Sequence, residues 1–175
     1  MRNLLVILTA ILVLTASSCS KKEKLSEQIN KQLDSITHSL VLSVNPKQLD
    51  RLTISINDFI IEYPSDSLSS KYLFELARVN QSRGAYKESI AALDRILKDF
   101  PMAKERGVSV FMEGFIYANL LHDLPKAKEK YESYLSIYSG QNDKMVRDAK
   151  LELENLGKSA EEIFKQIQAN ADSLK

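Results

Sequence analysis

The chain has 175 residues, with 24 lysines and arginines against 23 aspartates and glutamates. This near-neutral balance lacks the basic excess typical of nucleic-acid binding, and no acidic tail points to a store of cations. Residues 19–175, which follow an amino-terminal targeting segment, are long enough for one hydrophobic core or one short array of repeats.

The first 18 residues have the pattern of a secretion signal. Arg2 supplies a short basic region, an apolar run extends from Leu4 to Leu14, and small residues follow at 15–18. The apolar run of eleven residues is well short of the roughly 20 that a membrane-spanning helix needs. We therefore predict a signal peptide over residues 1–18 and not a spanning anchor.

Cys19, the only cysteine, directly follows those small residues. The stretch Ala16–Cys19 resembles a bacterial lipobox, in which a peptidase cuts before the cysteine and the thiol then carries lipid. The resemblance implies lipid attachment at Cys19, and Ser20 in the next position implies sorting to the outer membrane. An ordinary signal peptide followed by a stray cysteine is the alternative. Residues 19–24, rich in lysine, are predicted to form a lipidated polar tether.

The rest of the chain, residues 25–175, is predicted to be a single all-α domain. It is poor in glycine, shows no sustained alternation of apolar and polar residues, and has long stretches rich in leucine, alanine, lysine and glutamate. A first helix is predicted from Leu25 to Leu42. Asn45 and Pro46 suit the start of a second helix, which ends at Tyr63-Pro64. Its apolar face comprises Leu49, Leu52, Ile56, Phe59 and Ile60.

The stretch from Tyr72 to Pro101 is predicted to form two amphipathic helices joined by a tight turn at Gly84. A further pair follows, whose first helix has a face made of Val108, Phe111, Gly114, Phe115 and Tyr117. The face of its second helix comprises Ala127, Tyr131, Tyr134, Leu135 and Tyr138. A closing pair of helices is predicted at 145–156 and 159–171. The apolar residues of the last helix are expected to point inward: Ile163, Phe164 and Ile167.

The stops of these helices recur at nearly constant spacing, since Pro64 and Pro101 are 37 residues apart and Phe100 and Tyr138 are 38 apart. Such a period is typical of α-solenoids, in which each helix pair buries its apolar face against the next. An ordinary helical bundle with coincidental spacing is the alternative.

The central stretch resembles a tetratricopeptide repeat. The matching residues are the small Ala77 in the first helix, the turn glycine Gly84, the aromatic Tyr86 after it, Leu93 in the second helix and the closing Pro101. The next pair is similar through Gly114, Ala127 and Tyr131, whereas Ser89 and Ile96 stand where the family has alanine. The resemblance implies a right-handed α-solenoid of about three tetratricopeptide-like helix pairs plus a C-terminal capping helix pair.

Sequence motifs for catalysis are missing. His38 and His122 lack the spacing of a metal site, and neither a glycine-rich phosphate loop nor a Gly-x-Ser-x-Gly elbow occurs. We therefore expect a protein that is not an enzyme, with no catalytic residues, no metal and no cofactor.

In tetratricopeptide proteins the first helix of each pair lines a concave groove. The resemblance places these residues in that groove: Phe74, Arg78, Gln81, Ser82, Phe111, Phe115, Ala118 and Asn119. Phe111 and Phe115 lie one helical turn apart and would form an aromatic step, and Arg78 is suited to pair with a carboxylate. The alternative for both phenylalanines is ordinary core between repeats. Three tyrosines on one helix face are either core or a second contact patch: Tyr131, Tyr134 and Tyr138.

A lipidated signal followed by helix pairs resembles the tetratricopeptide lipoproteins of the bacterial envelope, among them a subunit of the outer-membrane β-barrel assembly machine and the coordinators of cell division. The resemblance implies a non-catalytic scaffold or adaptor, anchored by lipid to the outer membrane and facing the periplasm. Its partner would be another envelope protein or peptide, and not a nucleic acid. The alternative function is binding of a small ligand or peptidoglycan fragment in the same groove.

Overall fold

The computed structural model describes residues 21–37, 45–140 and 144–172. Every regular element in these ranges is an α-helix, which confirms the all-α class. None of these helices is long and apolar enough to cross a bilayer. In chain order the helices are α1 (21–37), α2 (Pro46–Glu62), α3 (Ser67–Ser82), α4 (Tyr86–Asp99), α5 (Arg106–Asn119), α6 (Leu124–Tyr138), α7 (Lys144–Asn155) and α8 (Ala160–Asp172).

Two helix starts are capped by side chains, and the cap at Asn45 was predicted from the sequence. Asn45 caps α2 by accepting a hydrogen bond from the backbone N–H of Lys47, and the Gln48 side chain closes a capping box. Asp123 accepts a hydrogen bond from the backbone N–H of Lys126 at the start of α6. Such a cap satisfies a backbone donor that the helix itself leaves without a partner.

The turn predicted at Gly84 is confirmed. Gly84 has φ of +74°, the left-handed region that favours glycine. The N–H of Gly84 donates to the carbonyl of Gln81 at 3.0 Å, and the N–H of Ala85 donates to that of Asn80 at 2.9 Å. Helix α4 then begins at Tyr86, as the sequence indicates.

The chain divides into two compact units, one running to Val79 and the other beginning at Asn80. The division falls within α3. We refer to them as the first and the second unit, and each has its own buried residues. The single domain over residues 25–175 stays a prediction.

The first unit has a core built around the predicted apolar face of α2. Leu52, Ile56, Phe59 and Ile60 are buried there, and Leu49 is half-buried. The Phe59 ring meets the Tyr72 ring edge-on, with centroids 4.8 Å apart. Other members of this core are Ile29, Leu73, Leu76, Ala77 and Val79.

The lysine-rich segment at 21–24 is helical, and the lipidated polar tether over residues 19–24 stays a prediction. The segment lies in α1, and two of its lysines form ion pairs with the region where α2 ends and α3 begins. Lys21 Nζ lies 2.7 Å from Glu62 Oε1, and Lys22 Nζ lies 2.5 Å from Asp66 Oδ2. Cys19, Ser20, His38 and Leu42 lie outside the described residues.

In the second unit, consecutive helices pack on one another, with α5 against both α4 and α6, and α6 against α7. Because α5 is covered on two sides, its buried residues differ from the single stripe predicted for it. Val108, Phe111, Phe115 and Tyr117 are only half-buried. The buried residues of α5 are Ser109, Val110, Glu113, Gly114 and Ile116.

Helix α8 also departs from expectation, because its apolar residues do not point inward. Phe164 and Ile167 are each 59% exposed, and Ile163 is half-buried. The buried residues of α7, Val146 and Ala149, belong to the core shared with α6. Glu154 of α7 and Lys158 of the connecting segment both bond the Gln166 side chain of α8.

Candidate functional site

Helices α5 and α6 face each other in a regular antiparallel register. Gly107 and Gly114 are seven residues apart on α5, and they lie against Tyr138 and Tyr131, which are seven apart on α6. Between them, Phe111 meets Tyr134 edge-on at 5.9 Å between ring centroids. The two glycines of α5, which are two helical turns apart, thus each pack against a tyrosine ring of α6.

The closest of these approaches is at Gly114. A Cβ atom added there would lie 2.8 Å from Cε1 of Tyr131, whose side chain is fully buried. At Gly107 the corresponding distance to Cζ of Tyr138 is 3.1 Å, and Tyr138 is only partly buried. Gly114 is therefore the position at which α5 and α6 most need a residue without a side chain.

The tyrosines of α6 belong to the core. Of the two interpretations of their pattern, core or second contact patch, the structure supports the first. Tyr131 is fully buried, Tyr134 is 3% exposed, and Tyr138 is half-buried against them. The Phe111 ring packs on this same cluster, 5.5 Å from Tyr131 between centroids. At least one side of the Phe111 ring therefore packs in the core.

A buried ionic group lies beside this aromatic contact. The Glu113 side chain is 0% exposed, and Lys130 Nζ of α6 lies 2.6 Å from its Oε2. The same ammonium group lies 3.8 Å from Asp94 Oδ1 of α4. Within the described residues, neither oxygen of Glu113 accepts a hydrogen bond from another donor. A carboxylate buried in this way depends on its one cation.

Burial raises the pKa of the Glu113 carboxyl to about 7, against the opposing effect of Lys130. For Lys130, burial acts in the lowering direction, but the Glu113 and Asp94 carboxylates outweigh it and hold its pKa above the ordinary value. The Glu113 carboxyl can therefore take up or release a proton near neutral pH.

The predicted groove residues divide between the two units. Phe74 and Arg78 lie on the first-unit part of α3, where Phe74 is half-buried and Arg78 is exposed. Arg78 Nη1 lies 3.0 Å from Glu75 Oε2, one turn back on the same helix. The guanidinium is thus already paired, yet 60% of the side chain is exposed.

Gln81, Phe111, Phe115 and Asn119 belong to the second unit. Phe115 is half-buried and is not among the side chains that pack on the aromatic cluster of α5 and α6. Asn119 is exposed, and its Nδ2 donates to the Phe115 carbonyl at 3.2 Å. Phe115 and Asn119 are therefore together on one side of α5, whereas Phe111 is shared with the core. Gln81 is half-buried, and Ala118 packs on the core.

Sequence reasoning missed Glu113 and Gly107. The available signal was spacing, since Arg106, Val110, Glu113 and Tyr117 recur at intervals of three or four residues, so that the glutamate falls on an otherwise packed face. The repeat of Gly107 and Gly114 at seven residues was equally visible.

The described part of the chain contains no group of three or more histidine, cysteine, aspartate or glutamate side chains that could hold a metal ion. A cavity of about 480 Å³ opens in the first unit, and the described residues that line it include Lys24, Glu27, Lys31 and Arg51.

Comparison with known protein families, with curated proteins and with solved structures returned no match for this chain.

Proposed function

We propose that this chain is a lipid-anchored scaffold or adaptor of the bacterial envelope, built as a right-handed tetratricopeptide-like α-solenoid, that binds another protein without catalysing a reaction. The consecutive packing of α4, α5, α6 and α7 supports a repeat architecture, because each helix contacts its neighbours in the chain. The contact of Gly114 with Tyr131 supports the resemblance to this repeat family, which matches at both positions.

The observation that carries the binding role is the position of Phe115. It is a partly exposed aromatic side chain on a helix that is already fixed on two sides by α4 and α6. Aromatic residues held on a rigid element lose little conformational freedom on binding, and they are enriched at the energetic centres of protein interfaces. Asn119, one turn further, adds an exposed amide that can pair with a peptide backbone.

The binding role is tested by recovering partners from solubilised envelopes with the wild-type chain and with a variant carrying Phe115→Ala and Asn119→Ala. We expect the variant to lose a partner that the wild type retains. A variant with Lys128→Ala and Glu132→Ala, two exposed residues of α6, serves as the control. Retention of every partner by the Phe115 variant contradicts this role. Phe74→Ala with Arg78→Ala tests the first-unit residues in the same way.

The anchor is tested separately. Cys19→Ala, or inhibition of the lipoprotein signal peptidase, should block processing, so that the precursor accumulates with its signal peptide attached and no lipidated mature chain reaches the outer-membrane fraction. Unchanged processing and fractionation in both cases contradict lipidation at Cys19.

A further inference from the structure

The start of α1 is fixed to the carboxyl-terminal end of α2. Lys21 forms its ion pair with Glu62, the last residue of α2, and Lys22 forms one with Asp66, just before α3. These two contacts place the first described turn of the chain beside the corner between α2 and α3.

Very little chain separates this corner from residue 19. Two residues, even fully extended, span about 7 Å. The polar headgroup region of one leaflet is about 5 to 7 Å thick. If Cys19 carries lipid, Lys21 and the end of α2 paired with it must therefore lie at the membrane surface, because no long flexible spacer intervenes.

An exposed apolar side chain stands at this same end. Ile61, in the last turn of α2 and next to Glu62, is 78% exposed, and Ile54, two turns earlier on the same side of the helix, is 60% exposed. Single exposed apolar residues are common. Ile61 is distinguished by its place, since it is the exposed apolar residue beside the end to which the lipid would be attached.

We propose that the first unit rests on the bilayer end-on, with the carboxyl-terminal end of α2, marked by Ile61 and the Lys21–Glu62 pair, in contact with the lipid surface. This inference rests on the proposed lipidation of Cys19. Because Lys21 and Glu62 neutralise each other, the contact needs no anionic lipid.

The test uses the lipidated mature chain, which begins at Cys19, in vesicles of neutral phosphatidylcholine. Cys19 is the only cysteine, so a second cysteine provides the only free thiol for a fluorophore. Three exposed positions on one side of α2 form a depth series: Ile61→Cys, Ile54→Cys and Lys47→Cys. Each step of seven residues is about 10 Å along the helix. A quencher attached to lipid headgroups should quench position 61 most, 54 less and 47 least.

Equal quenching at 61 and 47, or no quenching at 61 in chains that float with the vesicles, overturns the end-on contact and leaves the anchor intact. Chains that fail to float overturn both, because the anchor itself is then missing. Replacing part of the neutral lipid with anionic lipid should leave the order of quenching unchanged, and a reversed order also contradicts the inference.

Discussion

Gly114 of α5 and Tyr131 of α6 are in such close contact that a single added methyl group would lie 2.8 Å from the tyrosine ring. The ring is fully buried and cannot move aside freely. This pair sets the distance between two helices that together position Phe115 and Asn119.

Gly114→Ala should therefore destabilise the protein although alanine is the better helix former. Overpacking costs about 1 to 3 kcal/mol, and the gain in helix propensity returns only about 1 kcal/mol. Gly107→Ala should cost less, because the partly buried Tyr138 can move. Gly140→Ala, in the turn after α6, is the control for the added methyl group alone, since nothing lies within 4 Å of its Cβ position. Thermal or urea unfolding should rank the variants in that order, and equal stability of all three contradicts the close contact.

Ionisation of Glu113 should make the free energy of unfolding depend on pH. Its pKa is raised from 4.5 to about 7 in the folded state, so the folded protein holds a proton that the unfolded chain has released. Stability should therefore fall as the pH rises from about 4.5 to about 7, by about 3 kcal/mol at 1.36 kcal/mol per pH unit. Above this window the contribution is constant.

Glu113→Gln should remove this component. The free energy of unfolding is measured by urea titration from pH 4.5 to 8 for both proteins, and the difference, wild type minus variant, should decline across the window. Subtraction cancels the titration of the other carboxylates. A difference that is independent of pH shows that Glu113 ionises like an exposed residue.

Lys130→Ala should be costly at alkaline pH and less costly at acidic pH. It leaves the buried Glu113 without its cation, and breaking a buried pair in this way costs about 3 to 5 kcal/mol. At pH 5 the carboxyl can instead be neutralised by a proton, so the loss should shrink. Lys128→Ala, at an exposed position of the same helix, is the control and should change little at either pH. A loss that does not vary with pH contradicts this role for Lys130.

Helix α8 should be the least protected described helix of the second unit in amide hydrogen exchange. None of its residues from 160 to 171 is buried, whereas α6 contributes Ala127, Tyr131 and Tyr134 to the core. Ser159, whose Oγ accepts from the Glu162 N–H at 3.3 Å, caps it. Ser159→Ala should speed exchange in α8 about fivefold, as expected for loss of an N-cap worth about 1 kcal/mol. Exchange in α6 should not change, and α8 protection equal to that of α6 contradicts its exposed placement.

Much of the helix layout could be predicted because its signals are local. Asn45 and Pro46 start α2, Gly84 takes the positive φ of the turn, and Ser159 caps α8, each by chemistry within a few residues. The buried face of α2 followed from spacing alone, since one side of that helix is buried and the other is not.

The features of the fold that could not be predicted depend on contacts between residues that are distant in the sequence. Lys21 and Lys22 resemble a solvated spacer until Glu62 and Asp66, about 40 residues later, supply their partners. The spacing on α5 indicates that Glu113 lies on a packed face, but its partner Lys130 reaches it only when α6 packs on α5. For α8, the amphipathic pattern correctly predicts a helix, but no pattern within α8 itself indicates whether another element covers its apolar residues.

The central claim, that a side of α5 binds another envelope protein, is tested most directly by a photo-reactive amino acid placed at position 115 in intact cells. A matched probe at position 132, exposed on α6, controls for chance encounters. The account predicts a discrete crosslinked product with one other protein from position 115 that is missing from position 132. No product from 115, or the same product from both positions, contradicts it.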